Sequence, residues 1–213
     1  MHLFVRRARL AGGQSRAAMM WAIEMTDRVN QVTDLGVTLH EQVFSADVGE
    51  LVWAAAVPDL ATLEKGIEKL QGDDFYMAEQ DRGHGFMLGP PSDLIQSIVH
   101  GEMGDVPIGG YTQAIAAVCA PGRMTEAVTN AIALADRSSA IIGAPTAVSL
   151  ARTGPYAGIT WTTTFPGMAS VDAAMTALDG DAGWMAFVDE MTAGDVFVTE
   201  PMWTMQTMYR RTH

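Results

Sequence analysis

The side chains able to exchange a proton near neutral pH are few: the five histidines His2, His40, His84, His100 and His213, and one cysteine, Cys119. A neutral imidazole can serve as acid, base or metal ligand, so each histidine is a place where chemistry could sit. Their spacings match no metal-ligand pattern, and a lone cysteine makes neither a zinc ribbon, a Cys-x-x-Cys redox pair nor an intrachain disulfide. No metal or cofactor is therefore expected. The phosphate-cradling and nucleophile motifs Gly-x-x-x-x-Gly-Lys-Ser/Thr, Gly-x-Gly-x-x-Gly and Gly-x-Ser-x-Gly are absent as well. Two histidines stand in suggestive surroundings. His40 lies in the alternating run Thr38-Leu-His-Glu-Gln-Val-Phe44, and His84 lies in Arg82-Gly-His-Gly-Phe86, where flanking glycines would let a loop close over a ligand.

The elements that must position these residues occur twice. At an offset of 109, residues 3–33 match residues 112–142 identically at eight of 31 positions, among them Ala22/Ala131, Ile23/Ile132, Asp27/Asp136 and Arg28/Arg137. The register continues with small slips through Trp53/Trp161, Pro58/Pro166 and Leu70/Leu178, and Gln96 stays opposite Gln206. A repeat of this length is a duplicated domain rather than a solenoid unit.

Within the first copy, Leu3 to Ala8 reads as a strand and Gly12-Gly13 as a turn. Apolar residues at 18, 22, 25, 29 and 32 then give helical spacing up to Gly36. Strands at Val37–Phe44 and Leu51–Val57 form a hairpin. Pro58 opens a helix through Leu70, Asp73–Gln80 forms a short helix, and residues 93–100 form a last strand. Residues 101–110 read as the linker, dividing the chain into domains 1–103 and 108–213. The order β-α-β-β-α-(α)-β, stated twice, is that of the ferredoxin-like unit.

On this order and repeat length, over nearly the whole chain, the sequence resembles the dimeric α/β-barrel superfamily. That superfamily includes antibiotic-biosynthesis-type monooxygenases, haem-degrading monooxygenases, stress-responsive barrel proteins and chlorite-dismutase-like haem proteins. The resemblance implies an α+β fold of two tandem ferredoxin-like βαββαβ units, packed sheet to sheet as a pseudo-dimeric α/β barrel. The second copy has no histidine before His213, which departs from the chlorite-dismutase-like pattern and speaks against haem there.

Alternation assigns faces. Thr38, His40, Gln42 and Phe44 share the more polar side of their strand, the side expected to line the barrel, and Thr160, Thr162 and Thr164 repeat the pattern in the second copy. His40 is thus the first catalytic candidate and His84 the second. Gln42, Phe44, Gln96, Trp203, Met205 and Gln206 are the ligand-binding candidates. A bland alternative stands beside each. His40 could be a buried histidine satisfied by Gln42 or Gln96, the paired glutamines could bridge the sheets, His84 could be an exposed loop residue, and Trp53 and Trp161 belong in the core.

The 13 Lys+Arg against 25 Asp+Glu leave a net charge of −12, a field that repels nucleic acid and anionic lipid. No apolar run is long enough to span a bilayer, and the arginines at 6, 7, 9 and 16 do not flank the apolar stretch of a secretory signal. A cytoplasmic protein is expected. Its partners would be a small apolar ligand and, though internal pairing already covers the sheet faces, a second copy in a homodimer. Two functions remain open. One is non-catalytic binding of a small apolar or aromatic ligand, or a role in stress response. The other is cofactor-independent oxygenation of an aromatic or polyketide-like substrate, with His40 or His84 moving a proton.

Overall fold

Sequence spacing places the same seven elements in each copy, and the computed structural model contains them in that order. It describes residues 1–13, 15–198 and 202–211, with the side chains of Trp203, Arg210 and Arg211 outside the description. The first copy runs β1 (His2–Arg9), α1 (Ser15–Val32), β2 (Thr38–Val43), β3 (Glu50–Val57), α2 (Leu60–Gln71), α3 (Asp74–Gly83) and β4 (Ser92–His100). The second runs β5 (Tyr111–Val118), α4 (Met124–Ile142), β6 (Thr146–Ala151), β7 (Gly158–Phe165), α5 (Met168–Gly180), α6 (Trp184–Thr192) and β8 (Met202–Arg211).

Two local differences from the sequence reading have simple causes. Pro58 does not open α2: Asp59 caps the helix, its carboxylate accepting from the Thr62 backbone N–H at 2.8 Å, so the proline precedes the cap. The glycine-flanked segment around His84 is not an open loop. α3 runs on to Gly83 and a short turn of tighter helix, His84–Phe86, continues it.

Contacts divide the chain into two units, Met1–Ile95 with Gln206–His213, and Gln96–Met205. In the first, β3 lies between β1 and β2, antiparallel to both, and β8 borders β2. In the second, β7 lies between β5 and β6, antiparallel to both, and β4 borders β6. Followed along its hydrogen bonds, the strand order β1-β3-β2-β8-β5-β7-β6-β4 closes an eight-stranded antiparallel barrel, the α+β dimeric-barrel fold.

Each unit has its own core between sheet and helices. In the first, Ala8, Leu39, Leu51, Trp53, Ala55 and Val57 from the sheet meet Trp21, Ala22 and Met25 of α1 and Leu63 and Leu70 of α2. Trp53 is buried and its indole N–H donates to Thr26 Oγ1 at 3.0 Å. In the second, Ala117, Val148, Ile159 and Trp161 meet Ala127, Ala131 and Ala135 of α4, and the Trp161 N–H donates to the Ala131 carbonyl at 2.9 Å. Both tryptophans are core residues, as their positions on alternating strands imply.

Candidate functional site

Because side chains alternate across a strand, the residues not used by these cores share the opposite face. The register of the first unit pairs Arg7 with Val52 and Val52 with His40, so β1, β3 and β2 contribute one cross-strand row. Thr38, Gln42 and Glu50 lie on the same face. In the second unit the corresponding face carries Thr112, Ala114 and Ala116 of β5 opposite Thr164, Thr162 and Thr160 of β7, with Ala147 and Ser149 of β6 beyond them.

His40 is 5% exposed, and burial pulls its pKa from the ordinary 6.5 to about 4, so the imidazole is neutral at physiological pH. Its Nε2 lies 2.9 Å from Thr38 Oγ1, and that hydroxyl in turn lies 3.2 Å from the Ala54 carbonyl. A threonine has one hydroxyl proton to give. With that proton directed at Ala54, Nε2 carries the imidazole proton and donates it to Thr38, which leaves Nδ1 as a bare acceptor. Among the described residues Nδ1 has no hydrogen-bond partner, although it is buried.

Gln42 is fully buried, donates from Nε2 to Glu50 and accepts from Ser45 Oγ at 3.0 Å. Burial raises the pKa of Glu50, while the charge of Arg7 and the Gln42 bond act in the other direction. Gln42 is thus committed to Glu50 and Ser45 and does not satisfy His40.

The remaining candidates divide. In the second unit Gln96 is buried and donates to Thr160 Oγ1 at 2.7 Å, on the threonine-lined face. In the first, Gln206 is buried on β8. Phe44 does not join His40. The strand ends at Val43, Phe44 adopts φ 51, a left-handed conformation that turns the chain into the hairpin, and its side chain is 74% exposed. Met205 packs against Phe165, Val171 and Ala174 on the helix side of its sheet, the face opposite the threonines. Trp203 lies on β8, and its side chain is outside the described residues. His84 is exposed on the helix side of the first unit, following α3, whereas His40 occupies the opposite face of that sheet.

Sequence reasoning missed Arg7 and Glu50. The signal for Arg7 was available: consecutive arginines on a strand must point to opposite faces. Arg6 takes the helix side, with Nε and a terminal nitrogen 2.7 and 2.8 Å from the Asp93 carboxylate. Arg7 therefore falls on the face of His40, where its Nε is enclosed and without a partner among the described residues. Glu50 falls just before the strand expected over Leu51–Val57, yet it opens β3 and pairs with Arg9 across from it.

Elsewhere, a cleft of about 540 Å³ in the second unit is lined by Arg137, Ala140, Ile141, Ala177, Gly180 and Asp181. It lies between α4 and α5, and its two charged residues bond one another at 2.9 Å. Among the described residues no group of three or more His, Cys, Asp or Glu could hold a metal ion, and no helix is long and apolar enough to cross a membrane.

No protein-family model matches the chain, and no curated protein matches it in sequence. Solved structures do match in fold. A provisionally assigned monooxygenase from Fusobacterium nucleatum subsp. nucleatum ATCC 25586 superposes with a TM-score of 0.74 at 7% identity, covering 100% of this chain and 94% of that one. A second provisionally assigned monooxygenase, from Lactobacillus acidophilus NCFM, gives 0.68 at 7% identity over 99% and 95%. An anthrone oxidase-like protein gives 0.66 at 15% identity over 99% and 92%. The shared property is the fold: both halves of a dimeric α/β barrel in a single chain.

Proposed function

We propose that the chain binds a small apolar or aromatic ligand on the polar face of its first unit, with His40 accepting a hydrogen bond from a ligand hydroxyl. The observation that carries this reading is the state of His40: buried, neutral, tied to Thr38 through Nε2 and bare at Nδ1. A buried polar atom left without a partner costs roughly 1–3 kcal/mol, and a hydroxyl donated to Nδ1 removes that cost. A base with a pKa of about 4 accepts a hydrogen bond at neutral pH but takes a proton poorly, so the same feature favours binding over proton abstraction.

Naphthol, an aromatic ring with one hydroxyl, is a suitable probe. Calorimetric titration should show saturable binding at one site per chain, and methoxynaphthalene, which cannot donate, should bind more weakly. His40→Leu should abolish the difference between the two. If naphthol binds His40→Leu as well as it binds the native chain, and only the melting temperature falls, His40 is a structural residue and the reading fails.

One observation favours a second reading, oxygenation of an aromatic substrate. Three of the neighbours covering essentially the whole chain carry monooxygenase or anthrone oxidase-like names. Oxygen uptake on addition of anthrone, lost in His40→Leu, would support it. Binding of anthrone with no oxygen uptake above the uncatalysed rate would leave the binding function alone.

A further inference from the structure

We propose that the cleft between α4 and α5 is a separate binding site, for a free α-amino acid with a large apolar side chain. It lies in the second unit and does not depend on the reading of His40.

The cleft, of about 540 Å³, has the size of a small-molecule site. A Cβ built on Gly180 meets no atom within 4 Å, so the space beside the end of α5 is open. The other copy of the repeat shows what this space has lost. Arg137, Gly180 and Asp181 of the lining repeat Arg28, Gly72 and Asp73, but Ala140 and Ala177 stand where the first copy has Gln31 and Lys69. Two long polar side chains are thus reduced to methyl groups, which with Ile141 form an apolar wall.

The change from Lys69 to Ala177 also removes a charge. The last turn of a helix carries unpaired carbonyls and a partial negative charge, which a nearby cation stabilises. Lys69 sits in the last turn of α2, whereas the last turn of α5 has no basic residue. Asp181 follows that turn directly, and the Arg137 guanidinium and the Gly183 N–H hold its carboxyl below the usual carboxylate range, so it is ionised at neutral pH. Its bonds from Arg137 and Gly183, at 2.9 and 3.0 Å, both fall on Oδ1, and a carboxylate can accept about four. A ligand ammonium placed here supplies the cation that Lys69 supplies in the first copy.

Arg137 supplies the opposite charge. Arg28 grips Asp73 with both Nε and a terminal nitrogen, but Arg137 reaches Asp181 with one terminal nitrogen alone. Its side chain is 40% exposed, and the Phe187 ring, 5.6 Å from the guanidinium carbon, backs it. The terminal nitrogens not used by Asp181 can therefore donate to a carboxylate. Because Arg137 and Asp181 touch, a ligand that engages both must carry its ammonium and carboxylate side by side, as on the single α-carbon of an amino acid. Its apolar side chain then lies along Ala140, Ile141 and Ala177.

The test uses the full chain and three probes: phenylalanine, N-acetylphenylalanine, which lacks the ammonium, and phenylalaninamide, which lacks the carboxylate. Calorimetry at low ionic strength should find phenylalanine bound about tenfold more tightly than either relative, or better, the ratio expected for one charge-assisted hydrogen bond. Asp181→Asn should erase the preference over the acetyl compound, and Arg137→Gln the preference over the amide. Since Arg137 also packs on Phe187, the deciding variant leaves the ion pair alone. Ala140→Gln combined with Ala177→Lys gives the second copy the residues of the first, and it should abolish phenylalanine binding with an undiminished melting temperature. Failure of the native chain to bind phenylalanine, equal binding of the three probes, or full binding by the double variant overturns the proposal, and none of these results bears on naphthol binding at His40.

Discussion

At the scale of single residues, the same burial that keeps His40 neutral should be visible in stability against pH. Its folded-state pKa of about 4 lies below the ordinary 6.5, so between these values the unfolded chain binds the extra proton and the folded chain does not. The stabilising contribution is complete above pH 6.5 and is lost as pH falls toward about 4, a span worth on the order of 3 kcal/mol. Glu50 works in the opposite sense: its raised pKa gives a contribution present at low pH and lost as pH rises through that value. The difference between the native chain and His40→Gln isolates the histidine. Urea unfolding should show the variant losing less stability than the native chain between pH 6.5 and 4, and equal losses would mean that His40 titrates normally. Much of this site was legible by alternation, which put His40, Gln42 and the threonines of β7 on one type of face. Alternation also separates two of the ligand-binding candidates, since Met205 and Gln206 are adjacent on β8 and cannot point the same way. Phe44 was not legible, because the strand stops one residue before it and its left-handed conformation depends on the closure of the hairpin.

At the scale of elements, the duplicated positions report packing more than chemistry. Ala18, Ala22, Ala127 and Ala131 are all at 0% exposure, where α1 and α4 lie against their sheets and nothing larger than a methyl group fits. Arg28 and Arg137 bond Asp73 and Asp181, which precede α3 and α6 in the two copies. Trp21 and Asn130, different in chemistry, do the same work by donating to the Glu79 and Met191 carbonyls. Repetition in the sequence therefore exposed the fold well, and the candidate chemistry sits where the copies diverge, as at His40 against Ala147. Helix packing also supplies a prediction. A Cβ placed on Gly83, at the end of α3, would lie 2.2 Å from the Trp21 ring, which is held by its bond to Glu79 and by the Trp53 and Phe86 rings. Gly83→Ala should therefore cost about 1–3 kcal/mol, the usual penalty of overpacking. In Gly66→Ala the new methyl meets the branched end of Leu35, at 2.6 Å for the nearest atom. That side chain can rotate, and a mid-helix Gly→Ala exchange returns up to about 1 kcal/mol. The second variant should lose less stability than the first, and the reverse order in thermal melts would contradict this account.

At the scale of the whole molecule, the net charge of −12 argues that neither DNA nor RNA should bind in a salt-dependent way, because no excess of cations is available to displace counterions. A gel shift retained at physiological salt would contradict that. The duplication raises a sharper question, whether one half suffices. The sequence boundary falls in the linker and suggests halves of 1–103 and 108–213, but the contact-defined first unit takes in Gln206–His213 and the second begins at Gln96. In the first unit β8 borders β2, and in the second β4 borders β6. A fragment of residues 1–103 would keep β1, β3 and β2 in register yet leave the outer hydrogen-bonding edge of β2 bare, and an uncovered strand edge pairs with whatever strand it meets. The polar face carrying Arg7 and His40 would be left with it. The fragment should therefore sediment as a dimer or larger species, or fail to fold, while the full chain gives a cooperative melt. Addition of the complementary fragment should suppress the self-association. A folded, monomeric 1–103 fragment with a cooperative melt would show that the ferredoxin-like half is stable by itself and that β8 is dispensable to it.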